Sequence, residues 1–351
     1  MDAVLTAMVE DKIGPGEQGR LFIQTAKERL AFDYALPMRS PVTALHLALK
    51  AINVTEGQGV LLSALSPRYY LTVINDLRLI PVFCDVSRDN PCMTCDTIEK
   101  ALAEKGAGLE VRCIILHHTL GFLPDTAAVS QLGLPVIEDI SQSFGTFRFQ
   151  DKTDEDSSDS AQTEIETEAD KCSLPLGNFC IMGLEEKDIL TCGGGALLFS
   201  MNKRDSAALK NFSSIPNEYL MPDINAALGV VQLKELLRSI KKRKEIARVY
   251  TRASMNVRHK RFIPLEEGMY NNYAFPLVLE TGLKEVAAYA RKKEIVIESA
   301  FEQTLAGAGL CGPEQCPVSH SLSLRTVLFP LYPRLRSQEV ERVSRLIMTL
   351  P

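Results

Sequence analysis

The chain has 351 residues, 46% of them hydrophobic, and a formal charge of −5 at pH 7. That size and apolar content suffice for a large core plus a smaller second domain, and the acidic balance argues against general nucleic-acid binding. The longest apolar runs, such as Cys113-Ile114-Ile115-Leu116 and Ala196-Leu197-Leu198-Phe199, are far too short to span a bilayer, and the segment from Met1 to Gly14 lacks a signal-peptide core, so a cytoplasmic chain without membrane contact is expected. Nine cysteines without an export signal are expected as free thiols. Cys92 with Cys95, or Cys311 with Cys316, could in principle hold zinc, but no His completes either set, and no metal site is expected.

In chain order, helices and short apolar strands alternate. Residues 42–51 are apolar at helical spacing, and Gly57-Gln58-Gly59 turns into the strand Val60-Leu61-Leu62. A helix over 66–79 leads to a strand over 80–85, a helix over 97–105 to a strand over 112–117, and a helix over 126–132 to a strand over 135–139. Strands threaded between helices in this way predict a parallel sheet covered on both faces, with its ligand site at the carboxyl ends of the strands. Asp85, His117, His118, Glu138 and Asp139 fall at such ends.

Residues 151–170 interrupt the pattern with nine acids in twenty positions, so a disordered acidic insertion over about 150–172 is expected. Strands resume at 177–181 and 196–200, and an amphipathic helix from 223 to 237 continues through Lys241-Lys242-Arg243-Lys244 to about 250. That basic cluster reads as a solvated helix face. Beyond it, strands over 273–279 and 295–297 and helices over 283–293 and 337–349 predict a smaller α+β unit. The expected division is 1–245 for a large domain and 246–351 for a small one.

Lys187 stands out within this frame. It lies between an apolar strand ending in Glu138-Asp139 and the run Gly193-Gly194-Gly195, which is a layout suited to pyridoxal phosphate. A lysine amine condenses with the cofactor aldehyde, while a carboxylate keeps the pyridine nitrogen protonated so that the ring accepts electrons. Taken singly, the residues have plainer readings: Asp139 as a strand terminus, Gln142 as a turn cap, and His118 as a satisfied buried imidazole.

The segments from Val136 to Gly145 and from Lys187 to Ala196, with Pro81 to Val86 and Pro222 to Gly229, resemble the DegT/DnrJ/StrS sugar aminotransferases. The resemblance implies an α/β pyridoxal-phosphate transferase of fold type I and a homodimer. It also implies amino transfer from glutamate or glutamine to a nucleotide-linked keto-sugar, for surface or capsular polysaccharide synthesis. Lys187 would be the catalytic lysine and Asp139 the partner of the ring nitrogen, with Gln142 at the ring hydroxyl and His118 nearby.

Departures from the family pattern concentrate at the cofactor phosphate. The family's Ser-Gly-Thr turn reads Ser40-Pro41-Val42-Thr43, leaving Val42 and Thr43 as candidate donors, and a serine five residues before the lysine is Met182. The stacking aromatic falls near Pro67, with Tyr69 or Tyr70 as substitute. The asparagine lent by a partner subunit aligns with Glu218, next to Asn217. These departures leave open a catalytically degenerate homologue acting as a binding or regulatory subunit.

Overall fold

The structure is a computed structural model that describes residues 2–9, 11, 13–30, 32–106, 108–146, 177–212, 215–265 and 270–351. The expected acidic insertion lies outside the described residues. Ahead of the first expected helix come α1 (Asp2–Val9), α2 (Glu17–Arg29) and β1 (Tyr34–Met38). The helix expected from residue 42 is α3 (Pro41–Ala51), started by Ser40, whose hydroxyl accepts from Thr43 N while the Thr43 hydroxyl accepts from Ser40 N. Proline at the first helical position costs no hydrogen bond there.

The sheet continues with β2 (Gly59–Ser63), α4 (Tyr69–Asp76), β3 (Ile80–Cys84), α5 (Cys95–Glu104), β4 (Val111–His117), α6 (Thr126–Ser130), β5 (Val136–Asp139), β6 (Phe179–Gly183) and β7 (Ala196–Ser200). Its order is β1-β7-β6-β5-β4-β2-β3. The pairs from β3 through β6 are parallel, and β7 and β1 run antiparallel at one edge. Strands β2, β5, β6 and β7 are buried along their whole length, so β2, β6 and β7 read as near-continuous apolar runs, whereas β5 ends in the buried acids Glu138 and Asp139.

After α7 (Lys203–Lys210), the 31-residue helix α8 (Asp223–Ala253) runs without a break through the expected boundary at 245/246. Its first residue, Asp223, accepts from Gly16 N, Gln18 N and Gly19 N and so caps α2 rather than its own helix. The basic cluster is not uniformly solvated: Arg243 donates to the carbonyls of Tyr273 and Leu331 at 2.8 and 2.9 Å. Beyond α8 lie β8 (Phe275–Val278), α9 (Leu283–Lys292), β9 (Glu298–Ser299), α10 (Pro317–Arg325), β10 (Thr326–Phe329) and α11 (Ser337–Met348). A three-stranded antiparallel sheet, β8-β10-β9, packs with α8, α9 and α11 around its own apolar core.

Two expected elements differ. Residues 295–297 form no strand, because Glu294 turns left-handed (φ 57°) and Ile295 N folds back to Ala290 O; the strand starts at Glu298. The helix expected over 66–79 shrinks to α4. Residues 64–68 are instead tied to an incoming segment through Ala306 N to Ala64 O, Leu305 N to Ser66 O and Arg68 N to Gln303 O, and Arg78 (φ 54°) ends the helix side. Among the described residues no helix is long and apolar enough to cross a membrane, and no three His, Cys, Asp or Glu side chains gather as metal ligands.

Candidate active site

Parallel register sets His117 of β4 beside Asp139 of β5, and Leu116 beside Glu138. Successive residues of a strand face opposite sides of the sheet, so the two adjacent acids enter different environments. Glu138 is fully buried and accepts from His118 Nε2 (2.8 Å), Thr126 Oγ1 (2.7 Å) and Gly177 N (2.9 Å). The other ring nitrogen of His118 lies 2.6 Å from Ser143 Oγ. With both nitrogens committed, His118 is a structural imidazole, and the group facing Asp139 is His117, with Nδ1 3.7 Å from Oδ2.

Asp139 is buried at the carboxyl end of the sheet. One oxygen accepts from Ser141 N (3.0 Å) and from Ser141 Oγ, the other from Tyr70 Oη and from Tyr69 Oη at 3.1 Å. Burial works to raise its pKa, but His117, and then Ser141 and Tyr70, outweigh it and hold Asp139 well below the usual carboxylate range. It is therefore ionised at neutral pH. The same charge, after burial itself, pushes both tyrosines well above their ordinary value and keeps them protonated donors.

A second carboxylate approaches from the loop after β6. Gly183 leaves room for it: a Cβ there would sit 2.7 Å from both Asp188 Oδ2 and Ser141 Oγ. Asp188 accepts from Glu185 N at 2.8 Å. Burial first, and the charges of Asp139 and Glu185 against that hydrogen bond, push its pKa up to about 8. Lys187 points the other way. Its side chain is 75% exposed, with Nζ 2.8 Å from Glu298 Oε2 on β9, and it lines a cleft of about 1150 Å³ together with Asp188, Arg243 and Tyr273.

Gln142 Oε1 accepts from Leu120 N at 2.6 Å and secures the 3-10 turn Thr119–Gly121. Thr43 N is committed to the Ser40 cap, and Pro41 has no N–H, so Val42 supplies the N–H of that first turn not used by the cap. Asn217 opens an exposed 3-10 turn, Asn217–Tyr219, whose Tyr219 O accepts from Arg39 N beside the start of α3. The sequence marks His117 only as a strand-end residue and gives no sign of Asp188. Counting β4 and β5 back from their shared ends would have paired His117 with Asp139, whereas nothing in the sequence marks which of Lys187 and Asp188 turns inward.

Comparison with known proteins settles the family. The profile of the DegT/DnrJ/EryC1/StrS aminotransferase family matches residues 1–159 and 195–348. The chain belongs to this family. Membership gives it the class of a pyridoxal-phosphate-dependent aminotransferase, and Lys187 lies in the interval between the two matched stretches. The chain is 26% identical over 300 residues to a putative pyridoxal phosphate-dependent aminotransferase, EpsN, of Bacillus subtilis, covering 79% of this chain and 71% of that protein. It is 23% identical to a dTDP-4-dehydro-2,3,6-trideoxy-D-glucose 4-aminotransferase of Saccharopolyspora spinosa, over 98% of this chain and 92% of the other. A crystal structure of a DegT DnrJ EryC1 StrS aminotransferase from Brucella abortus superposes with a TM-score of 0.83 at 21% identity, over 99% of this chain and 93% of that one. The shared architecture is the fold type I large sheet with helices on both faces.

Tested against the family cofactor, the residues fit at one end. An ionised, buried Asp139 suits a protonated ring nitrogen, which would take the place of a tyrosine hydroxyl on Oδ2. At the other end they do not fit in this arrangement: Lys187 is turned to Glu298, and the start of α3 spends Thr43 N on its own cap.

Proposed function

We propose that the chain transfers an amino group from glutamate or glutamine to a nucleotide-linked keto-sugar. In this reading it acts as a cytoplasmic homodimer in surface or capsular polysaccharide synthesis, with residues 1–245 as cofactor domain and 246–351 as the smaller one. The observation that carries the reading is the cleft of about 1150 Å³ with Lys187 and Asp188 on its wall, which also holds Arg334, together with Arg238 and Arg342 paired to Glu235 and Glu294. Its volume exceeds what a small amino acid needs, and guanidinium groups suit a diphosphate or a donor carboxylate. The likeness to the dTDP-sugar aminotransferase over nearly the whole chain supports the same substrate class.

Pyridoxal phosphate, when bound, supplies an aldehyde that takes up the amino group and a ring that draws off electrons. Asp139 would hold the proton at the ring nitrogen, and Tyr69 or Tyr70 would yield it one acceptor position. Lys187 Nζ would be the amine that meets the aldehyde, for which it would have to leave Glu298 and be neutral to move a proton. The test is incubation of the purified, cofactor-loaded protein with a panel of nucleotide-linked keto-sugars and glutamate or glutamine, followed by mass analysis of the sugar. An amino-sugar nucleotide is expected. Transfer to a free keto-cyclitol alone would refute the nucleotide-linked class, and no transfer to any acceptor would return the binding or regulatory alternative.

A further inference from the structure

Ahead of α10, the exposed turn of residues 312–315 covers two thiols. Gln315 N and Cys316 N both donate to Gly312 O at 3.1 Å, folding the chain back so that the Cys311 and Cys316 side chains, neither exposed to solvent, meet beneath it. Lys105, immediately after α5, reaches the same point. Its Nζ donates to Phe83 O and Gln315 O at 2.7 Å each and lies 3.6 Å from Cys316 Sγ. Cys316 is also the residue that precedes α10, with Pro317 at the first helical position.

The other charged and titratable groups at this point come from the end of β3. Asp85 is occupied by the helix, accepting from Val318 N (2.9 Å), Ser319 N (2.7 Å) and Ser319 Oγ (2.6 Å), and Cys84 Sγ donates to Asp85 O. The Lys105 ammonium therefore faces Cys316 with the nearest carboxylate already engaged. Donation from Cys311, outweighing burial together with Lys105, holds Cys316 below the ordinary thiol range, and the same contact raises Cys311. A lowered attacking thiol beside a cation is the condition for thiolate chemistry.

We propose that Cys311 and Cys316 form a redox-active dithiol that a hydroperoxide converts to a disulfide, with Cys316 as the attacking sulfur. The Cys316 thiolate attacks one peroxide oxygen, the O–O bond breaks, and the departing hydroxide takes a proton to leave as water (as alcohol from an alkyl peroxide). Cys311 then attacks the resulting sulfenic acid. The S–S bond forms as the S–O bond breaks, and the second oxygen leaves as water with the Cys311 proton. Two thiols are oxidised by two electrons and one peroxide is reduced. Opening of the short 312–315 turn gives the oxidant access to the sulfurs. The site bears on the rest of the molecule because the segment leading into Cys311 carries Gln303, Leu305 and Ala306, which hold residues 64–68 just ahead of Tyr69 and Tyr70.

The experiment treats the reduced full-length protein with hydrogen peroxide, alkylates the free thiols, and maps the digest by mass spectrometry. A peptide linking Cys311 to Cys316 is expected before any other cysteine reacts. In Cys311→Ser, dimedone should mark Cys316, and in Lys105→Met the rate of linkage should fall about tenfold. Circular dichroism confirms that each variant is folded, and the wild-type mapping and the Cys311→Ser trapping decide the matter if Lys105→Met does not fold. Recovery of both residues as separately alkylated thiols from folded wild-type protein, or oxidation at the more accessible Cys95 while the pair stays reduced, would overturn the proposal.

Discussion

The inward position of Asp188 has a measurable cost. Its pKa is pushed from 3.8 to about 8 in the folded chain, by burial first and by the charge of Asp139. A carboxyl group whose folded pKa is raised keeps its proton in the native state while the unfolded chain releases it. Stability is therefore unaffected below about pH 4 and falls as pH rises from there to about 8. Four units at about 1.4 kcal/mol each set a ceiling of about 6 kcal/mol. Because Asp188 is partly solvated and keeps its bond from Glu185 N, about 1–3 kcal/mol between pH 5 and 8 is the expected loss. Asp188→Asn preserves that acceptor and removes the titration. Urea unfolding at pH 5 and pH 8 should show the variant gaining on wild type by that amount at the higher pH. Parallel pH profiles for the two proteins would refute the inward placement of the carboxylate.

Tyr70→Phe removes one buried donor to an ionised carboxylate and leaves Ser141, Tyr69 and His117 in place. A loss of about 1.5–3 kcal/mol in urea unfolding at pH 7 is expected, and a loss below about 0.5 kcal/mol would mean that Tyr70 does not engage Asp139. Glu298→Gln should change stability by less than about 1 kcal/mol, since the pair it forms with Lys187 is solvent-exposed on both sides. A larger drop in urea unfolding free energy would show a latch stronger than a surface ion pair.

The central strands of the large sheet were legible because they are buried along their length and carry compact apolar runs, whereas the edge strand β1, half-buried at two positions, was not expected. Residues 295–297 were read as a strand on the β-branched run Ile295-Val296-Ile297, but their direction is decided by the left-handed turn at Glu294. Asp139 was recoverable as a strand-end acid. His117, the last residue of β4, faces Asp139 through the strand register, while His118 just beyond the strand turns to Glu138, a one-residue difference that composition does not encode. Asp188 was invisible for a different reason. Its inward position rests on the absence of a side chain at Gly183 and on a hydrogen bond to Glu185 N, both set by tertiary packing.

The most direct test of the proposed site is chemical fixation of the cofactor. Purified protein incubated with pyridoxal phosphate, reduced with borohydride and digested should carry the pyridoxyl group on Lys187, with the label absent from Lys187→Ala. A label on another lysine, or none on folded wild-type protein, would contradict the assignment of Lys187 and Asp139 to one site.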